Sequence, residues 1–277
     1  SFLELKPLDT NAYRPATTLH RHSCYFSSVM SQIKSFNTPA NVAICGASGG
    51  IGGALVNALA DDERVANLFA LSRTPPHSGS SKVTSLPLDI LDEASVAETA
   101  RRCAEPGPID LVIVATGVLH DGDRVKPEKR MQDLDAEVMA RVFSINTIAP
   151  AILARYFLPL MRRDGKSAFA AISARVGSIG DNKLGGWTSY RASKAALNMV
   201  IKTLSIEHAR THPDGVVAAL HPGTTDTALS KPFQRNVPEG KLFSPGFTAE
   251  CLLRVLDELT SDDTGGFFAW NGDPIEY

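Results

Sequence analysis

The chain has 277 residues, 43% of them hydrophobic, and a formal net charge of -2. That is enough apolar material for one sizeable α/β domain, while scattered Lys and Arg residues provide no basic field for counterion release on nucleic acid. Apolar runs such as "LVIVA" and "VVAAL" fall short of the roughly 20 residues that span a bilayer, so the expected protein is soluble, with neither nucleic acid nor membrane as partner.

Residues 1–39 stand apart. Their Ser, Thr, Arg and His content without a sustained period suits a disordered leader, an over-extended gene start with Met30 as the true first residue, or a transit peptide. Glu4 and Asp9 count against the last. Cys24, Cys45, Cys103 and Cys251 form no CxxC, and three of them sit in apolar patterns, which reads as buried thiols in a reducing compartment.

From residue 40 onward short apolar runs alternate with amphipathic stretches. Strands are expected at 41–45, 67–71, 83–88, 110–115, 167–173, 215–220 and 266–270, the central ones apolar on both faces. Helical patterns lie between them at about 50–61, 92–103, 134–163, 187–211 and 247–260. Such alternation means βαβ units with right-handed crossovers. The expected fold class is α/β: a doubly wound parallel sheet of about seven strands, Rossmann-type, in a single domain at 40–277.

The first strand runs into "GASGGIGGAL". Gly46, Gly50 and Gly52 stand between a strand and a helix, where missing Cβ atoms let the backbone approach a pyrophosphate and the helix N-terminus donates amides to it. Glycine-rich turns also serve plain strand-to-helix corners. The next strand ends in "LSRT", where an NAD-binding fold commonly carries an acid for the ribose hydroxyls. Ser72 cannot make that contact, whereas Arg73 can pair with a 2'-phosphate. NADP is therefore favoured over NAD, the alternative being an exposed loop arginine. Asp89, closing the third strand in "LPLDI", either accepts from an adenine amino group or caps the helix near Glu93.

Tyr190 and Lys194 form a Y-x-x-x-K pair on one helix face. The pair alone is common by chance, so context decides. A lysine charge beside the phenol favours the phenolate, and a group with an ordinary pKa of about 10 needs that help to exchange a proton near neutral pH. Asn146 sits in the apolar "VFSINTIAPAIL", where it is either a kink-associated polar residue or a functional one. Pro150 must disturb the helix at the carbonyl of residue 146. The histidines show no metal-ligand spacing, so no metal is expected.

At these motifs the chain resembles the short-chain dehydrogenase/reductase family over residues 41–277. The resemblance rests on "GASGGIG", "LPLDI", "INTIAP", "YRASKAAL" and "HPGTTDT", in the family's order, and "SARVGSIGDNKLGGWTSYRASKAALNM" looks most like the C-factor-like subgroup. The resemblance implies that Tyr190 is the acid/base, that Lys194 lowers its pKa and holds the nicotinamide ribose, and that Ser173 steadies the substrate oxygen. It implies further that Asn146 holds a water linking the lysine to solvent. Contacts to NADP are implied for Gly46, Ser48, Gly50, Ile51, Gly52, Arg73, Asp89, Ile90, Gly117, Tyr190 and Lys194. Thr225 and Thr227 are implied to reach the carboxamide and pyrophosphate, with Pro222 and Gly223 shaping the bend.

Two departures from the family pattern stand out. "VATG" (114–117) replaces the usual Asn-Asn-Ala-Gly, removing two bracing side chains, and the serine doublet after the fifth strand is here Ser173-Ala174. Ser173, Ser178 from the following loop, or Tyr190 alone then serves the substrate oxygen; the rigid strand end favours Ser173. The expected function is an NADP(H)-dependent oxidoreductase moving a hydride between nicotinamide and a carbonyl or secondary alcohol. The alternative is an NADP-binding signalling or sensor protein with little turnover. Residues 228–247 mix Phe and Leu with Pro, Gly and charges, as mobile substrate loops do. A homodimer or homotetramer and a cytoplasmic setting are expected, with a mitochondrial or plastid one if the leader is a transit peptide.

Overall fold

The computed structural model describes residues 33–277; residues 1–32, with Met30 and Cys24, lie outside the described residues. Seven strands build one parallel sheet: β1 (Ala40–Cys45), β2 (Val65–Ser72), β3 (Val83–Pro87), β4 (Leu111–Val114), β5 (Ser167–Ile172), β6 (Gly215–His221) and β9 (Phe267–Ala269). Their order is β3-β2-β1-β4-β5-β6-β9, every pairing parallel. The short strands β7 (Thr224–Thr225) and β8 (Leu242–Phe243) pair separately. The expected strands and helices all form, with ends displaced by a few residues.

Period-two alternation distributes the strand side chains between two apolar layers. Val42 and Ile44 of β1 join Leu55 and Leu59 of α1 (Gly50–Ala60) and Leu252 and Leu256 of α6 (Pro245–Glu258). Ala43 and Cys45 face the opposite layer, with Val96 of α2 (Glu93–Cys103) and Leu197 and Ile201 of α5 (Thr188–His208). Helices thus cover both faces of the sheet, and the strand order reverses between β1 and β4, the place where such folds open a crevice.

Ile33 and Phe36 are buried in the first layer. The packed core therefore begins before residue 40, and the assignment of 33–39 to the leader is corrected: an isoleucine and a phenylalanine remove enough apolar surface from water to hold the segment down.

The helix expected at 134–163 is composite. α3 (Ala136–Phe143) passes into a wide π turn at Ser144–Ile148, then into α4 (Ala149–Phe157) and a final 3-10 turn at Leu158–Leu160. Pro150 lacks an N–H and its ring crowds the carbonyl of residue 146, so the helix widens just before it. This composite helix, Ala136–Leu160, is long and apolar enough to cross a membrane by length and composition, which short apolar runs did not reveal. It packs on the sheet with Leu153 and Phe157 in the second layer.

Candidate active site

The carboxyl ends of β1, β4, β5 and β6 open on a cleft of about 520 Å³. On the β1 side, Gly46 has a φ of 92°, a left-handed value costly for a residue with a Cβ. A Cβ there would also lie 3.0 Å from the backbone of Ala115. At Gly52 a Cβ would collide with the carbonyl oxygen of Gly46, so these two glycines let the turn fold on itself and onto "VATG". Gly49, which makes no side-chain cap, and then Gly50 and Ile51 line the cleft, leaving the first amides of α1 facing it. Ser48 is exposed beside them. A Cβ on Gly50 would lie 2.6 Å from Thr227 Cγ2. The glycine turn and the loop after β6 therefore close on each other across the cleft.

Arg73 stands exposed directly after β2, and the Ser72 hydroxyl before it donates to Thr74 O at 2.9 Å. Asp89 is exposed after β3 with Ile90 half-buried beside it. Its carboxylate accepts from Leu91 N at 3.0 Å, while α2 is capped by Asp92, which accepts from Ala94 N at 3.0 Å. The helix-cap alternative for Asp89 is thereby corrected: the chain has an aspartate better placed for it.

Tyr190 and Lys194 lie on the cleft wall in the first two turns of α5, both buried, Tyr190 at 8% exposure. The Lys194 ammonium stands 5.8 Å from the Tyr190 ring centroid and donates to Ile172 O at 2.8 Å. Burial pushes the Lys194 pKa down to about 8 and the Tyr190 phenol up. Loss of solvent sets the direction at both groups in the protein by itself.

Asn146, in the π turn, is fully buried. Its Oδ1 accepts from Val118 N at 2.8 Å, and its Nδ2 donates to Val118 O at 2.9 Å and to Ser193 Oγ at 3.1 Å. The side chain thus pairs with the loop after β4 like a strand and ties it to α5. Gly117 lies between Asn146 and Lys194: a Cβ there would stand 3.4 Å from Asn146 Oδ1 and 3.5 Å from Lys194 Nζ.

Ser173 lines the cleft at the end of β5, but its hydroxyl donates to Asn198 Oδ1 at 2.7 Å. This bond engages the hydroxyl one turn deeper along α5 than Lys194. Ser178 is buried, accepts from Asp181 N at 3.2 Å and does not line the cleft. Ala174, next to Ser173, does.

After β6, Pro222, Gly223, Thr225 and Thr227 all line the cleft. The Thr225 hydroxyl pairs with Thr248 Oγ1 at 2.9 Å, so its side chain anchors α6. Phe233, from the expected substrate loop, reaches the cleft.

Sequence reasoning missed four residues here. Trp187 lines the cleft ahead of Tyr190, and its signal was the "GGW" immediately before the helix. His221 also lines it, with an unpartnered Nδ1 and a pKa pushed down to about 4 by burial and then by Arg175. Thr116 has a buried Oγ1 without a partner. Glu128, from the polar stretch "KPEKR", is 3% exposed and accepts from the Ser189 hydroxyl and amide at the start of α5. Nothing in that stretch marked it for burial.

The family model for short chain dehydrogenases matches residues 40–238. The chain is 33% identical over 172 residues to C-signal of Myxococcus xanthus, covering 62% of this chain and 94% of that protein. It is 33% identical over 181 residues to a 1-hydroxy-2-glutathionyl-2-methyl-3-butene dehydrogenase of Rhodococcus sp. (strain AD45), covering 65% and 74%. The crystal structure of an NADPH-bound carbonyl reductase from chicken fatty liver superposes with a TM-score of 0.73 at 26% identity, covering 87% of this chain and 99% of that one.

Proposed function

The chain belongs to the short-chain dehydrogenase/reductase family, and from that premise we propose that it moves a hydride between NADP(H) and a carbonyl or secondary alcohol, with Tyr190 exchanging the proton. The observation that carries this reading is the convergence of Tyr190, Lys194 and the glycine turn on one cleft.

The residues present fit a dinucleotide. Gly50 and Ile51 offer amides without a side-chain cap at the start of α1, Gly46 and Gly52 keep the turn free of side chains, and Thr116 holds a buried hydroxyl without a partner beside the turn. Exposed Arg73, with no acid at residue 72, supports NADP rather than NAD, as does the NADPH bound to the chicken reductase. Asp89, Ile90 and the backbone of Gly117 and Thr225 complete the proposed contacts, with Pro222 and Gly223 forming the bend. When bound, the dinucleotide supplies the hydride.

The chain's own residues handle the proton. Burial keeps Tyr190 protonated at neutral pH, so it can give that proton to a carbonyl oxygen during reduction. Lys194 is charged below about pH 8 and stabilises the phenolate left behind. The gap at Gly117, bordered by Asn146 and Lys194, is the proposed seat of the water that returns the proton. With Ser173 engaged, Tyr190 alone holds the substrate oxygen.

A screen of NADPH oxidation over small ketones and aldehydes, beside an NADPH binding titration, tests this reading. Turnover abolished by Tyr190→Phe supports it. Tight binding without turnover on any carbonyl favours a sensor, the reading to which Ala174 and the Ser173–Asn198 bond lend support. Exposed Ile148, with Met199 and Ile206 seven residues apart on α5, supports a homo-oligomer packed through these helices. The buried thiols of Cys45 and Cys103 support a reducing, cytoplasmic setting.

A further inference from the structure

Among the described residues, Trp187 is the one non-glycine residue with positive φ, at 52°. A bulky aromatic residue in the left-handed region is strained, and such strain persists only where the surroundings impose it. Here they do. Trp187 N donates to Glu128 O at 2.7 Å, and the buried Glu128 carboxylate accepts from the hydroxyl and amide of Ser189. Trp187 provides no side-chain cap for α5; Glu128 takes over that task and locks the entry of the helix.

The consequence is the place of the indole. It stands edge-on to Tyr190, with ring centroids 6.4 Å apart, and to Phe233 at 4.9 Å. Phe233 in turn meets His120 edge-on at 5.8 Å, and His120 Nε2 lies 3.0 Å from Ala228 O, joining the loop after β4 to the loop that carries Phe233. Three rings from three chain segments therefore line the cleft beside the proton donor, with Val118 and Val176 among them. The guanidinium on this wall, Arg175, faces Asp181 at 3.6 Å, so a carboxylate already shares its charge.

We propose that Trp187, Phe233 and His120 form an aromatic subsite that selects uncharged, flat aryl carbonyl compounds, with Trp187 as the specificity-determining residue. The proposal rests on the reading of this cleft as a hydride-transfer site. In the reduction a hydride adds to the aryl carbonyl carbon and the π pair moves to oxygen. The oxygen takes the Tyr190 proton, giving the alcohol, and NADPH leaves as NADP⁺. Edge-to-face contacts reward a ring with a π face over a saturated ring of the same size.

The test compares kcat/KM for acetophenone and cyclohexyl methyl ketone, which differ in ring saturation, using NADPH and the full chain. The proposal expects the aryl ketone to be favoured at least tenfold, and that ratio to fall below threefold in Trp187→Ala. Phe233→Leu, which leaves the strained position untouched, should lower it independently if Trp187→Ala does not fold. A 4-carboxylate on the aryl ring should lower kcat/KM at least tenfold. An unaltered ratio in folded Trp187→Ala or Phe233→Leu, or equal rates for the two ketones in the parent protein, overturns the proposal. If those equal rates vanish in Tyr190→Phe, the hydride-transfer reading survives and the aromatic subsite alone is lost. Absence of turnover on every carbonyl overturns both.

Discussion

The Ser173 hydroxyl donates to Asn198 Oδ1 at 2.7 Å, joining the end of β5 to α5 one turn beyond Lys194. Both residues are about 2% exposed, and the Asn198 amide nitrogen has no hydrogen-bond partner. Ser173→Ala should therefore act on stability, costing about 1–3 kcal/mol by leaving a buried acceptor unpaired, with kcat lowered less than tenfold. Thermal melts beside initial rates decide this. A loss of kcat above a hundredfold at unchanged melting temperature would restore Ser173 to the substrate oxygen.

Ala174 lies on the cleft wall beside Ser173. Introducing a hydroxyl there with Ala174→Ser should raise kcat by about tenfold or more, the scale of one added donor to a developing oxyanion. A kcat equal to or below that of the parent protein would show that the wall at residue 174 does not face the reacting oxygen.

Tyr190→Phe removes the proton donor while keeping the ring against Trp187. It should lower kcat at least about a hundredfold and leave NADPH affinity nearly intact. Lys194→Met should lower both. Stopped-flow single turnovers and fluorescence titration separate the two effects, and a Tyr190→Phe protein with most of its turnover would exclude the tyrosine as acid.

Arg73 is exposed after β2, and Arg73→Ala should weaken NADPH by about 1.5–3 kcal/mol through one lost charge-assisted contact. NADH should bind almost as before. Equal losses for the two cofactors in calorimetry contradict the 2'-phosphate assignment.

His208 and His221 are each pushed down to about 4 by burial, with His212 and Arg163 adding to the effect at His208 and Arg175 at His221. In the unfolded chain a histidine titrates near 6.5. Between about pH 6.5 and 4 the unfolded state binds more protons than the folded one. This contribution to stability is complete above that window and is lost as pH falls through it. The melting temperature should drop from pH 7 to pH 4.5, and His208→Asn should flatten the slope. A melting temperature that holds constant over this range would contradict the burial of both rings.

The strands, the helices and their doubly wound arrangement were legible because each depends on local chemistry. Hydrophobic period and glycine placement are written in neighbouring residues, and right-handed crossover then leaves few topologies open. Tyr190, Lys194 and Asn146 stood out through the motifs that the chain shares with the family, and Pro150 announced a disturbed helix at residue 146, where the π turn lies. What the tertiary structure decided was the partner of each polar group. Ser173 reads as a free hydroxyl until α5 brings Asn198 within 2.7 Å. Asp89 reads as a cap until Asp92 takes the amide of Ala94. Ile33 and Phe36 read as leader until the sheet gives them a surface to bury against. Glu128 looks like one more loop charge, yet it is sealed at the start of α5, 61 residues along the chain from Ser189. Hydrogen bonds and burial across such separations depend on three-dimensional proximity, which no local pattern encodes. That is why the elements and the tyrosine–lysine pair could be read in advance, while the engagement of Ser173 and the aromatic wall around Trp187 could not.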